Sequence, residues 1–302
     1  GNPRDQGLAR SEAVILRMKD GVQLLSSDPK AMNVFRQANR AMLLSIARSA
    51  ASRVREPGQR YREIELSSLD PETFRWRPFQ LAFFLLSLRG LWDPKHADRS
   101  IVDLIWFPTG GGKTEAYLAV AAFEMLRRRI VEGDQGGGTA VIKRYTLRLL
   151  TIQQFERAGS LICALETFRR AGEVPGSSPF SLGLWVGKDS SPNYYKDAVS
   201  DLNKIRSTIG KVEGVKVPLK QCPVCATPIV PPKKDEGSEG VGLREAGGGV
   251  EVFCPNADCA FHGSLPISYI DDYLYDNPPT MLLGTIDKFA MLAWRDEARA
   301  FF

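Results

Sequence analysis

Ile101-Val102-Asp103-Leu104-Ile105-Trp106-Phe107-Pro108-Thr109-Gly110-Gly111-Gly112-Lys113-Thr114 reads as an apolar strand running into a glycine loop, and the stretch from Glu115 to Ile130 has the character of a helix. Strand, glycine loop, Lys-Thr and helix follow in the order a nucleoside triphosphate needs. Glycines let backbone N–H groups turn inward into an anion-binding nest, and a helix N-terminus adds positive potential where phosphates lie. Lys113 is placed for the β- and γ-phosphates and the Thr114 hydroxyl for Mg²⁺. ATP with Mg²⁺ is therefore the expected ligand, held by Thr109, Gly110, Gly111, Gly112, Lys113 and Thr114. The plainer alternative is a glycine turn that happens to precede Lys-Thr.

The general phosphate-loop pattern asks for a glycine six positions before the lysine, and Phe107 stands there. Pro108-Thr109-Gly110-Gly111-Gly112-Lys113-Thr114 instead resembles the variant found in superfamily 2 helicases and translocases. That resemblance implies a RecA-like motor lobe and gives roles to further residues. Arg77 and Gln80, in Phe74-Arg75-Trp76-Arg77-Pro78-Phe79-Gln80, stand where the superfamily reads adenine. A glutamine amide offers a donor and an acceptor to the base edge, and a guanidinium plane can stack on it. Thr146 and Arg148 match a motif that touches the nucleic-acid backbone, and Thr285 stands where another strand-contacting threonine is expected. Hydroxyls, amides and helix N-termini hold phosphates without reading sequence. Arg148 as an ordinary surface residue is the competing reading.

The chain has 302 residues, 43% of them apolar, and a formal net charge of +5. That suffices for one large domain or two small ones with a real core. No run reaches the length of a membrane span, and no signal-peptide pattern opens the chain, which begins Gly1-Asn2-Pro3; a cytoplasmic location is expected. The mild positive charge does not by itself select a nucleic-acid partner. Arg36, Arg40, Arg48, Arg53 and Arg55 lie together without an intervening acid, as a nucleic-acid path or a solvated face. Arg127-Arg128-Arg129 suits a helix C-terminus.

Residues 11–65 read as helices, the second opened by Asp28-Pro29, an N-cap acid with proline at the first helical position. Ala31, Val34, Phe35, Ala38, Met42 and Ile46 recur at helical spacing, and Pro57-Gly58 ends the pattern. Strands are expected at 139–142, 181–186 and 280–283, with helices from the 145–154 region to about Ala171 and over 197–209. Alternation of this kind argues for a parallel sheet covered by helices on both faces, that is, an α/β protein. Ligands in such sheets lie at the carboxyl ends of the strands, where every motif loop is placed by this reading. The expected organisation is an N-terminal helical region over 1–65 and a first motor lobe over 66–302, with a zinc-ribbon-like insertion at 214–268.

Within the insertion, Cys222-Pro223-Val224-Cys225 and Cys254-Pro255-Asn256-Ala257-Asp258-Cys259 flank a charged, glycine-rich loop. Two cysteine pairs in tight turns point to four thiolates around a structural Zn²⁺. The second pair is more widely spaced than the first, and His262 offers an alternative ligand; all four cysteines are the preferred set. Disulfides are disfavoured beside a cytosolic ATPase pattern. Cys163, among Leu161, Ile162 and Leu165, reads as a buried apolar residue.

ATP hydrolysis in this class also needs an acidic pair after a later strand and an arginine finger. Neither is legible here, since Asp296-Glu297 follows what reads as a helix. The chain is thus expected to stop short of the acidic motif and, alone, to bind nucleotide weakly without turning it over. The strings Trp106 to Leu118, Arg144 to Arg157 and Gly284 to Phe289, with the cysteine insertion, together resemble the helicase-like subunits of bacterial DISARM anti-phage systems. The resemblance spans roughly residues 28 to 302. It implies an ATP-driven DNA-binding subunit, acting on single-stranded or partly duplex DNA with a DrmB-like partner subunit. Two alternatives stay open: a superfamily 2 motor for repair, restriction or RNA remodelling, and a non-catalytic nucleic-acid-binding module switched by nucleotide.

Overall fold

The computed structural model describes residues 3–54, 60–70, 74–108, 110–146, 152–188, 190–207, 216–231, 240–247 and 249–302. They fall into two compact units, Gly1–Leu43 with Leu66–Gly136, and Leu44–Glu65 with Gly137–Phe302. No helix among the described residues is long and apolar enough to cross a membrane.

The first unit is helical. It holds α1 (Pro3–Ser27), the first part of α2 (Pro29–Val54), α3 (Pro78–Trp92) and α4 (Lys113–Glu132). Asp28 caps α2 as its position predicts, its carboxylate accepting from the backbone N–H groups of Lys30 at 2.8 Å and Ala31 at 3.1 Å. Helix α3 is apolar almost throughout because it packs on both α1 and α4. A side chain at Gly21 of α1 would place its Cβ 2.1 Å from the Leu85 carbonyl oxygen, so this crossing requires glycine. Phe84 is fully buried, with the rings of Phe35, Trp76 and Phe123 around it at 5.0, 6.3 and 6.0 Å. Burying one such ring stabilises the fold by about 2–3 kcal/mol.

The expected strand before the glycine loop does not form. Residues 101–108 carry no sheet pairing among the described residues, and Val102, Leu104 and Trp106 are 94%, 81% and 90% exposed. A strand exists only where a neighbour completes its ladder, and apolar spacing alone cannot supply one. The segment is anchored instead by Arg17, which donates to both oxygens of Asp103 at 2.6 and 2.8 Å and to Asp98 at 3.0 Å. The glycine loop therefore does not follow a strand end, contrary to the expectation for every motif loop.

The second unit is mixed α/β. Its elements are β1 (Val141–Tyr145), α5 (Ile152–Arg170), β2 (Leu182–Trp185), α6 (Tyr195–Ser207), β3 (Leu243–Ala246), β4 (Gly249–Val252), β5 (Ile267–Ser268), α7 (Asp271–Asp276), β6 (Met281–Thr285) and α8 (Ile286–Ala290). Four strands form a parallel sheet in the order β1-β6-β2-β5, while β3 and β4 make a separate antiparallel hairpin. Every residue of β2 and β6 is buried, so both faces of the sheet centre are covered. Trp185 anchors one face, packed with Leu274, Leu282, Ala298 and Phe301. Asp296-Glu297 lies in a short 3₁₀ turn and follows no strand.

The arginines on α2 do not behave as one surface. Arg36 is exposed, Arg55 lies outside the described residues, and Arg48 is only 1% exposed, bonded to Glu63 and Thr167. Arg127 is held by Glu124 and Glu132.

Candidate functional site

The glycine loop belongs to the first unit. Gly110 and Gly112 have φ of +79° and +89°, backbone that L side chains rarely adopt. A Cβ at Gly112 would sit 2.7 Å from the Gln80 amide nitrogen, and one at Gly111 would sit 2.6 Å from the Phe107 ring. The loop is therefore packed closely against the Gln80 and Phe107 side chains at Gly112 and Gly111 and open at Gly110. Gly112 is the N-cap of α4, so the first turn of that helix follows directly from the loop. The Lys113 ammonium reaches back across the loop to the Phe107 carbonyl, and the Phe107 ring stacks on Phe79 at 4.1 Å. Thr114 lies in the first turn of α4. Thr109 lies outside the described residues.

Arg77 and Gln80 meet this loop through a route that their spacing did not announce. Arg77 is the N-cap of α3, and the Gln80 side-chain oxygen accepts from its backbone N–H at 2.9 Å. The Gln80 amide then donates to the Gly112 carbonyl at 2.7 Å, and the Arg77 guanidinium donates to the Gly111 carbonyl at 2.7 Å. Both side chains thus grip the glycine loop from the start of α3. The Gln80 oxygen and one amide N–H are engaged within the protein.

Thr146 and Thr285 are brought together in the second unit. Tyr145, the last residue of β1, pairs in register with Thr285, the last of β6. Both threonines therefore mark the carboxyl edge of adjacent parallel strands. They differ in access: Thr146 is exposed and Thr285 is 2% exposed. Arg148 lies outside the described residues. Below Thr285, Lys288 of α8 forms a buried ion pair with Asp271 and lies 5.8 Å from the Trp185 ring. Burial raises the Asp271 carboxyl above its usual range, with Lys288 opposing that shift.

The four insertion cysteines converge. The sulfurs of Cys222, Cys225, Cys254 and Cys259 all lie within 4.8 Å of one another, and all four residues are buried. The pairs Cys225–Cys254 and Cys222–Cys259 are 3.4 and 3.9 Å apart, without a disulfide. Tetrahedral zinc with Zn–S of about 2.3 Å sets sulfurs roughly 3.8 Å apart, so the cluster could hold a zinc ion. The Val224 N–H points at the Cys222 sulfur at 3.5 Å, and the Cys222 N–H bonds the Thr227 carbonyl at 2.8 Å, closing the first turn. Ala226 takes φ of +57° to make that turn. Burial raises the Cys222 thiol, while hydrogen bonds from the neighbouring thiols lower Cys225. His262 stays outside the cluster, its Nδ1 at 2.9 Å from the Cys254 carbonyl. Cys163 is fully buried in α5.

A glycine cradle opening a helix, gripped by an arginine and a glutamine, and a four-cysteine cluster beside a parallel sheet define a mixed α/β protein with a candidate anion site and a candidate metal site. No family model matches the chain. Across an alignment 308 positions long that covers 96% of the chain, it is 36% identical to the DISARM protein DrmA of Bacillus paralicheniformis, and it spans 26% of that protein's length.

Proposed function

We propose that this chain is the nucleotide-binding part of an ATP-dependent DNA helicase or translocase of a DISARM-type anti-phage system, built on a RecA-like motor lobe. The observation that carries the reading is the glycine loop. Left-handed Gly110 and Gly112 lead into the N-terminus of α4, with Lys113 lying across the loop's mouth. The similarity to DrmA supports the defence role. The organisation into a helical region over 1–65, a motor lobe over 66–302 and an insertion over 214–268 belongs to the same proposal.

The residues present fit ATP and Mg²⁺. Thr109, Gly110, Gly111 and Gly112 would offer backbone N–H groups to the phosphates, Lys113 would exchange its Phe107 contact for phosphate oxygens, and the Thr114 hydroxyl would face Mg²⁺. When bound, the metal–triphosphate supplies the phosphoryl group whose transfer drives the motor. Arg77 and Gln80 would hold the base beside the loop they already grip. Thr146 and Arg148 would contact the DNA backbone. Thr285, being buried, would shape the turn after β6 that sets the neighbouring surface. Zn²⁺ on Cys222, Cys225, Cys254 and Cys259 would be structural, since all four ligand positions are filled by protein.

The experiment is Lys113→Ala in the intact protein together with its DrmB-like partner. ATP turnover should disappear while the circular dichroism spectrum is unchanged. Undiminished turnover would remove the glycine loop from the reaction.

A further inference from the structure

The two cysteine turns are joined by more than their sulfurs. The first is closed by the Cys222 N–H on the Thr227 carbonyl at 2.8 Å and by the Ala226 N–H on the Cys222 carbonyl at 2.9 Å. That closure sets the Thr227 hydroxyl 3.2 Å from the Cys225 sulfur. The second turn is longer, running Cys254-Pro255-Asn256-Ala257-Asp258-Cys259, and Asn256 organises it. The Asn256 side-chain oxygen accepts from the Asp258 N–H at 2.8 Å, and its backbone carbonyl accepts from the Cys259 N–H at 3.1 Å. The side-chain amide of the same residue reaches across to the first turn and donates to the Thr227 hydroxyl oxygen at 3.5 Å. Thr227 and Asn256 are 6% and 7% exposed, so water competes little for these contacts.

Charge gives the contacts a purpose. Zinc held by four thiolates carries a net charge of −2, and a buried charge is costly unless hydrogen bonds or opposite charges meet it. At Cys222 the Val224 N–H approaches the sulfur at 3.5 Å. At Cys225 the approaching group is the Thr227 side chain. A thiolate can only accept, so the hydroxyl proton belongs on the sulfur side, and the hydroxyl oxygen still has lone pairs for the Asn256 N–H. Asn256 to Thr227 to Cys225 then runs donor to acceptor throughout, and its last bond is made to an ionised group, the stronger kind.

We propose that Thr227 is a positioning residue of the metal centre: its hydroxyl donates to the metal-bound Cys225 sulfur, and Asn256 orients that hydroxyl from the opposite turn. The inference rests on the zinc reading above. It gives the wider spacing of the second cysteine pair a role, because the longer turn carries the residue that reaches the first. Groups just outside a metal's ligands typically change its affinity by about 10- to 100-fold when removed.

The test uses the intact protein with zinc and with Co²⁺ in its place. Zinc affinity is measured by competition with a chromogenic chelator, and the sulfur-to-cobalt charge-transfer band is recorded, for the wild type, Thr227→Val and Thr227→Ser. Valine keeps the shape and removes the hydroxyl; serine keeps the hydroxyl. Thr227→Val should weaken zinc binding by roughly 10- to 100-fold. It should also move the cobalt band to longer wavelength, because a sulfur that loses a hydrogen bond gives up an electron more easily. Thr227→Ser should restore both. Thr227→Ala replaces Thr227→Val if the valine variant does not fold. Wild-type zinc affinity in the variant without the hydroxyl overturns the proposal, as does a serine variant that behaves like it. An unmoved cobalt band with weakened binding marks a packing role and overturns it as well. Each of these leaves the zinc reading intact, whereas a wild-type protein that binds neither metal overturns both.

Discussion

The Gln80 side-chain amide donates to the carbonyl of Gly112 at 2.7 Å, so the first turn of α3 and the N-cap of α4 share a hydrogen bond. Gln80 is buried, and its oxygen is taken by the Arg77 N–H. Gln80→Leu would leave two backbone groups without their partner, a cost of about 1–3 kcal/mol for each group that water cannot reach. Urea unfolding should show that loss, and nucleotide titration of the same variant should show weaker binding. Wild-type stability in Gln80→Leu would mean that the bond contributes nothing.

Gly110 and Gly112 share left-handed backbone but differ in surroundings. A Cβ at Gly110 meets nothing within 4 Å, whereas one at Gly112 meets Gln80 at 2.7 Å. Gly110→Ala should cost only the backbone term, about 1–2 kcal/mol. Gly112→Ala should cost more and should also displace Gln80. Thermal melts of the two variants, run side by side, rank them; equal melting temperatures would contradict the crowding at Gly112.

Cys222→Ser with Cys225→Ser should release the metal, read as loss of zinc by elemental analysis of the purified protein. Removing half of a tetrathiolate leaves too few soft ligands to hold zinc at neutral pH. Full metal retention in the double variant would place the ligands elsewhere.

Lys288 and Asp271 form a buried pair under the end of β6. Lys288→Met would strand the Asp271 carboxylate, at a cost of about 3–5 kcal/mol. The loss should depend on pH in a definite direction. Burial raises the folded-state pKa of Asp271 above its unfolded value. The protonated form is therefore favoured by folding, and the associated stability, full below the ordinary carboxylate pKa of about 3.9, is lost as pH rises through the folded value. Without Lys288 the folded value rises further, so the deficit of Lys288→Met should be larger at pH 8 than at pH 5 in urea unfolding. A deficit of the same size at both pH values would show that the carboxyl does not titrate this way.

Much of the local structure was legible. Asp28-Pro29 announced the start of α2, since capping needs only residues a few positions apart. The glycines before Lys113 announced a tight backbone nest leading into α4 for the same reason. The cysteine pairs pointed to one another because few other residue patterns present four sulfurs in two tight turns. The alternation at 139–142, 181–186 and 280–283 placed β1, β2 and β6 within a few residues.

Other features could be found only in three dimensions. Residues 101–107 have the apolar content of a buried strand, yet a ladder depends on a neighbour that the run itself does not specify. Arg48 reads in the sequence as one of a row of arginines on a nucleic-acid path or a solvated face, because its partners, Glu63 and Thr167, lie 15 and 119 residues away. Thr285 stands in the sequence as a nucleic-acid-contacting threonine; only the sheet shows that it lies in β6 between β1 and β2 and is 2% exposed.

By itself, then, the amino-acid sequence determined what short-range chemistry controls: where helices begin, where the backbone must turn left-handed, and which thiols are available to a metal. The tertiary structure alone decided which polar groups are bonded inside the protein and which face water. Gln80 on Gly112 and Arg48 on Glu63 are choices made by packing, because burial and hydrogen-bond satisfaction depend on what distant segments bring alongside.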